Sequence, residues 1–138
     1  MKKVSLIVPC YNEEQALPIF ARELDLVVQG LSGYEFEVVM VNDGSSDNTL
    51  DVMRDISAAY GYFKYISFSR NFGKESAMYA GFCNTDGDYV AVMDADMQDP
   101  PSLLPEMLEI LEDGEYDSVA TRRVTRKGEP PIRSWFAR

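Results

Sequence analysis

The 138-residue chain contains no histidine. Its absence removes a Ser-His-Asp triad and any histidine-ligated metal centre from consideration. There are two cysteines, Cys10 and Cys83, at neither a metal-type nor a redox spacing. Two thiols do not make a disulfide framework, and the pair reads as reduced cysteines of a cytosolic protein. Long hydrophobic runs are missing as well. None approaches the ~18 apolar residues of a spanning helix, and the short apolar run between Met1-Lys2-Lys3 and Pro9 does not resemble a signal peptide. Basic residues are scarce: 13 Lys and Arg against 23 Asp and Glu leave a net charge of −10. A chain that acidic repels a nucleic-acid backbone, which requires a positive footprint.

What is present describes one globular domain. Hydrophobic residues make up 46% of the chain and aromatics 12%, enough to bury a core at this length. There is no internal repeat and no low-complexity linker. The few cations are unevenly placed: Arg122, Arg123, Arg126, Lys127, Arg133 and Arg138 stand against the single acid Glu129. That tail is either a solvated terminus or a surface for an anionic substrate or anionic lipid.

Apolar runs alternate with helical periodicity along the chain. Val4 to Val8 predicts a strand ended by Pro9. Asn12, with Gln15 three residues on, predicts a capping box for a helix through Leu17, Phe20, Ala21, Leu24 and Val28. Phe36 to Val41 predicts a second strand, and Asp47 caps a second helix through Leu50, Met53, Ile56 and Tyr60. Phe63 to Phe68, Tyr89 to Met93 and Ser118 to Thr121 predict further strands. Gly73 to Asn84 and Ser102 to Glu112 predict further helices. Continuous apolar strands alternating with helices favour an α/β fold with a mostly parallel sheet covered on both faces. Ligands of such sheets bind beyond the carboxyl ends of the strands. Here those ends carry Pro9-Cys10-Tyr11-Asn12-Glu13, Asn42-Asp43-Gly44-Ser45, Ser69-Arg70-Asn71 and Asp94-Ala95-Asp96.

Asp94 and Asp96 follow a strand and are separated by one small residue, so both point to one side. Two such carboxylates repel unless a cation lies between them or one is protonated. A hard divalent ion, Mg²⁺ or Mn²⁺, removes that cost and commonly bridges a carboxylate to substrate phosphates; Gln98 adds a third oxygen donor. The plainer reading is a polar strand end that caps the next helix. Asp43 is an acceptor for a nucleobase N–H or ribose hydroxyl, or simply part of an Asp-Gly turn. Glu13 stands near a base or ribose on the functional reading, with Asn12 as a helix cap on the plain one. Lys74, beside the start of a helix, can meet a diphosphate, although the glycine spacing of a P-loop is missing, as is a G-x-G-x-x-G after the first strand. Arg122 and Arg133 are suited to bidentate phosphate contact.

Taken together, Val8-Pro9-Cys10-Tyr11-Asn12-Glu13-Glu14, Val41-Asn42-Asp43-Gly44-Ser45-Ser46-Asp47-Asn48-Thr49 and Asp94-Ala95-Asp96 resemble the family 2 glycosyltransferases with the GT-A fold, a Rossmann-like αβα sandwich. Ser69-Arg70-Asn71-Phe72-Gly73-Lys74-Glu75 and Asp94 to Pro101 narrow the resemblance to the polyprenyl-phosphate hexosyltransferases. It covers essentially the whole chain, in order. The resemblance implies transfer of a hexose, with inversion, from a UDP- or GDP-linked sugar to a polyprenyl phosphate. Pro9, Tyr11, Asn12, Glu13, Asp43, Gly44 and Ser45 would hold the nucleoside end of the donor. Asp94, Ala95 and Asp96, with Gln98, would hold Mg²⁺ or Mn²⁺ and the diphosphate, with Lys74 beside them. Arg122 and Arg133 would engage phosphates as the site closes. A family 2 enzyme acting on a saccharide hydroxyl is the neighbouring reading, but no separate acidic motif after the fourth helix supplies its base. A non-catalytic nucleotide-sugar-binding module is the reading from another class. Family members usually continue into amphipathic and often transmembrane helices, and Trp135-Phe136-Ala137-Arg138 resembles the opening of such a helix. The expectation is therefore one domain over 1–138, with 122–138 opening the acceptor region. It would be a soluble fragment of a longer protein at the cytoplasmic membrane face, with a truncated edge that permits self-association.

Overall fold

The structure is a computed structural model and describes residues 1–114, 116–120 and 135–137. It divides into two compact units, Met1–Gln98 and Asp99–Arg138. In the first, four strands form one sheet: β1 (Lys2–Cys10), β2 (Tyr34–Asn42), β3 (Phe63–Ser67) and β4 (Tyr89–Val92), in the order β3-β2-β1-β4 with every pair parallel. Three helices connect them: α1 (Ala16–Gln29), α2 (Thr49–Ala59) and α3 (Lys74–Cys83).

The strands form where the apolar runs predict them, and the central pair, β1 and β2, is buried on both faces, whereas the edge strand β3 exposes Lys64, Tyr65 and Ser67. In β1, Val4 through Val8 are buried, and in β2 every residue from Phe36 to Asn42 is. α1 buries Leu17, Phe20, Ala21 and Leu24, one stripe at helical spacing. Each such fully buried side chain contributes about 1.5–3 kcal/mol relative to exposure. The path from β1 through β3 steps one way across the sheet, and the path to β4 steps back. Right-handed crossovers therefore place α1 and α2 on one face and α3 on the other. Contacts on the α3 face agree: Ala77 packs with Val39 and Val41, and a Cβ on Gly81 would lie 2.3 Å from Ile7 Cγ2. Only glycine permits that approach.

Two sequence expectations are corrected in β1 and α1. Pro9 does not end the first strand; it lies inside it, in register with Val41. The Met93 amide donates to Ile7 O and the Asp43 amide to Cys10 O, both at 2.9 Å. Main-chain groups of odd-numbered β1 residues thus face β4, and even-numbered ones face β2. The proline nitrogen falls on the β4 side beyond the last registered pair, Ile7 with Val92, so no ladder bond is lost. Nor does Asn12 cap α1. The helix starts at Ala16 after Gln15, and Asn12 adopts a left-handed φ of 53°. Asp47 does serve the start of α2, accepting from the Thr49 amide at 2.9 Å.

The second unit holds a single 3-10 turn (Pro101–Leu103) and α4 (Leu104–Glu112), which buries Leu104 and Leu108. It also holds an antiparallel pair, β5 (Ser118–Ala120) with β6 (Trp135–Ala137). Trp135-Phe136-Ala137 is therefore strand, not the opening of an amphipathic helix; three apolar residues carry no periodicity that separates the two. Thr121, Arg122 and Arg133 lie outside the described residues. Among the described residues no helix is long and apolar enough to cross a membrane.

Candidate functional site

The order β3-β2-β1-β4 reverses direction between β1 and β4, the place where open parallel sheets bind ligands. A cleft of about 260 Å³ opens there, lined by Pro9, Cys10, Tyr11, Glu13, Asp43, Lys74, Asp94, Asp96 and Gln98. The end of β1 supplies Pro9 and Cys10, the loop after it Tyr11 and Glu13, the residue after β2 Asp43, the start of α3 Lys74, and the segment after β4 Asp94, Asp96 and Gln98. Of the residues predicted from sequence, Asn12, Gly44, Ser45 and Ala95 do not line it; Ala95 is buried in the core.

Asn12, Gly44 and Ser45 instead hold the loops that carry the lining residues. Asn12 Oδ1 accepts from the Ser46 amide at 2.8 Å and the Asp47 amide at 3.3 Å, while the Asn12 amide donates to Ser45 Oγ at 2.9 Å. The Glu13 amide donates to Thr49 Oγ1 at 2.9 Å. The β1 loop is thus fastened to the β2 loop on both sides of Asn12. Gly44 has φ 67°, and a Cβ there would lie 2.2 Å from the Arg70 carbonyl carbon and the Asn71 nitrogen. No other residue fits between the two loops.

Asp43 is buried, and its carboxylate already has partners. Oδ1 accepts from the Phe72 amide at 2.8 Å, and Oδ2 from the Gly73 amide at 3.1 Å and from Asn71 Nδ2 at 3.3 Å. It fixes the turn into α3, a role that sequence spacing did not reveal. That turn delivers Lys74, whose ammonium lies 2.8 Å from Asp94 Oδ1. Both partners are partly exposed, at 58% and 30% of the side chain, so the pair contributes at most about 1 kcal/mol to stability. Asp96 Oδ1 accepts from the Gln98 amide at 3.2 Å across Met97, which takes a left-handed φ of 66°. A non-glycine residue held in that region costs about 1–3 kcal/mol. The strained turn brings the Asp96 carboxylate and Gln98 to the same cleft.

The cleft is electronegative. Desolvation, and then the charges of Asp96, Asp94 and Asp47, push the Glu13 carboxyl above its ordinary range. Burial, reinforced by Glu13 and Asp94, pushes the Cys10 thiol far up, so Cys10 lines the cleft as a neutral group rather than a nucleophile. Among the described residues no three Cys, Asp or Glu side chains stand together as a ready metal cage. Two carboxylates in an anionic cleft suit an ion that takes one or two carboxylates and completes its shell with water and phosphate, as Mg²⁺ does. The donor set therefore fits such an ion.

Comparison with known proteins agrees with this geometry. The sequence profile of Glycosyl transferase family 2 matches residues 5–137. The "Putative glycosyltransferase CsbB" of Bacillus subtilis (strain 168) is 44% identical over 131 residues, covering 95% of this chain and 39% of that protein. Among solved structures, the mannosyltransferase PcManGT from Pyrobaculum calidifontis, in complex with GDP-Man and Mn²⁺, superposes with a TM-score of 0.70 at 23% identity, covering 88% of this chain and 36% of that one. S. aureus TarS 1-349 in complex with UDP-GlcNAc gives 0.61 at 23%, covering 94% and 37%. The chain thus spans roughly two-fifths of the length of these relatives. The structural matches speak for the fold alone.

Proposed function

The chain belongs to glycosyl transferase family 2, and on that premise we propose that it is the donor-binding part of an inverting hexosyltransferase acting on a polyprenyl phosphate. The observation that supports this reading is the convergence of Tyr11, Glu13, Asp43, Lys74, Asp94, Asp96 and Gln98 on one cleft at the reversal point of the sheet. Tyr11, half exposed at the mouth, offers a ring face to a nucleobase, with Pro9 beside it. Glu13 and the rim around Asp43 offer acceptors to base and ribose. Asp94 and Asp96, with Gln98, would hold Mg²⁺ or Mn²⁺, and the bound ion would stabilise charge on the departing diphosphate. Lys74 adds a cation on the same side. Arg122 and Arg133, suited to bidentate phosphate contact, would engage the phosphates.

The motifs Ser69 to Glu75 and Asp94 to Pro101 support a polyprenyl phosphate as the acceptor. A phosphomonoester is already anionic near neutral pH, its second pKa being about 6. Its oxygen needs no strong base, so the absence of histidine and the neutral Cys10 thiol are no obstacle to the transfer. The protein's task is to place the anomeric carbon in line between acceptor oxygen and leaving phosphate. In the longer protein this transfer would take place at the cytoplasmic face of a membrane, where the lipid acceptor resides.

Calorimetric titration with UDP and with GDP, each with and without Mn²⁺, tests the reading. Structures of this fold hold either nucleotide, GDP-Man in PcManGT and UDP-GlcNAc in TarS, so the titration also names the base. One nucleotide should bind in a metal-dependent manner. Asp96→Ala should weaken that binding by on the order of tenfold or more and leave the urea midpoint unchanged, because Asp96 is exposed. Metal-dependent binding that survives both Asp94→Ala and Asp96→Ala would reject the assignment.

A further inference from the structure

Lys74 and Asp94 are twenty residues apart in sequence, yet their charged atoms are 2.8 Å apart in the cleft. Asp43 enforces this, because its carboxylate binds the amides of Phe72 and Gly73 immediately before Lys74. The ammonium has a fixed anchor, but the pair is open to water, with 58% of the lysine and 30% of the aspartate side chain exposed. An ion pair of that kind is weak and readily exchanged. It also occupies an oxygen that the functional reading assigns to a divalent ion.

We propose that Lys74 is a resident counter-ion for Asp94, neutralising it while the cleft is empty and yielding that oxygen when a divalent ion arrives with the donor. The inference rests on the functional reading above. It adds a competition that no single-role assignment of Lys74 contains. Before the donor binds, the lysine opposes the metal, because both require Asp94. Once the donor is present, the displaced ammonium, still anchored through the α3 turn, has the diphosphate as its new anion. Metal and donor are then coupled: neither is favoured alone, and each relieves a charge that the other leaves exposed. An isolated divalent ion would bind the carboxylates less tightly than one accompanied by a nucleotide diphosphate.

Titration of the whole chain with Mn²⁺, read by loss of the free-ion electron paramagnetic resonance signal, gives a test independent of catalysis. Lys74→Met keeps the length of the side chain and removes its charge; Lys74→Gln serves as the second neutral variant. Without nucleotide, both should bind Mn²⁺ about two- to fivefold more tightly than the wild type, the range an exposed ion pair permits. With saturating UDP or GDP the order should reverse, the wild type holding Mn²⁺ and nucleotide more tightly. Unchanged or weaker Mn²⁺ binding by both variants in the absence of nucleotide overturns the inference, while loss of binding in Asp96→Asn would leave the functional reading intact. If neither nucleotide draws Mn²⁺ into the wild type, the functional reading falls as well.

Discussion

The two ends of the parallel sheet use the same residue types in opposite ways. At the amino end, acids and bases are matched. The Lys3 ammonium sits between Asp86, at 2.5 Å, and the buried Glu37, while the Lys3 amide donates to Asp88 Oδ2 at 2.8 Å and Lys2 Nζ to the Tyr89 hydroxyl at 3.1 Å. Glu37 is held there by its ion pair with Lys3. At the carboxyl end, the cleft is lined among the described residues by Glu13, Asp43, Asp94 and Asp96 against one cation, Lys74. The balanced end locks the loop between α3 and β4 to β1 and β2. The described lining of the unbalanced end retains a negative field that a cationic ligand would neutralise. Imbalance, more than the mere presence of carboxylates, marks the site.

The comparison is broken most severely at Gly44, which lies at the functional end but serves structure. Gly44→Ala must adopt a left-handed φ and push its Cβ into the backbone of Arg70 and Asn71. The expected loss is at least about 2 kcal/mol from strain and overlap together, read as a lower urea midpoint, with nucleotide binding failing alongside. An unchanged midpoint would mean that the β2 and β3 loops do not meet as described.

Lys3→Met tests the balanced end. It leaves Glu37, 4% exposed, as a buried carboxylate without its cation. The urea midpoint should fall while nucleotide affinity stays the same. A loss of affinity without a loss of stability would undo the division between the two ends. The linked pH dependence has a definite sign. Asp86 is held below the ordinary carboxylate range, first by its hydrogen bond to Lys3. Its stabilising contribution is complete above its unfolded pKa of ~3.9 and is lost as pH falls through the lower folded value.

The smallest effect, of opposite sign, belongs to Glu13. Desolvation and neighbouring carboxylates raise its pKa, so the folded state holds its proton more tightly. Stability from this group is complete below the unfolded value of ~4.3 and is lost as pH rises through the folded one. Glu13→Gln should therefore be slightly more stable than the wild type at pH 7 and should lack the wild type's gain on mild acidification. Identical pH profiles for the two proteins would mean that the cleft is less electronegative than its lining implies.

Much of the fold was legible because burial on both faces of a parallel sheet writes itself as unbroken apolar runs such as Val38–Val41. The strand ends were less so, since Lys2, Lys3 and Tyr34 pair in the ladder while their side chains reach solvent. Asn12 misled because a residue suited to capping a helix is equally suited to a left-handed turn, and only the position of Ser46 and Asp47 decides which. Glu13, Asp43, Lys74, Asp94 and Asp96, singled out by their places at strand ends and a helix start, line one cleft. The partners of these residues were not legible: Asp43 with the α3 turn, and Lys74 with Asp94, are contacts across 20–30 residues that no local pattern encodes.

Pro9 has a further consequence. A parallel ladder tends to lengthen like a closing zip, each amide recruiting the next carbonyl, and an ordinary residue at this position would offer β4 one more tooth. Proline withholds it. The two strands part after Ile7 and Val92, and the crevice into which Glu13, Asp94 and Asp96 project is kept from sealing by an atom the chain does not have.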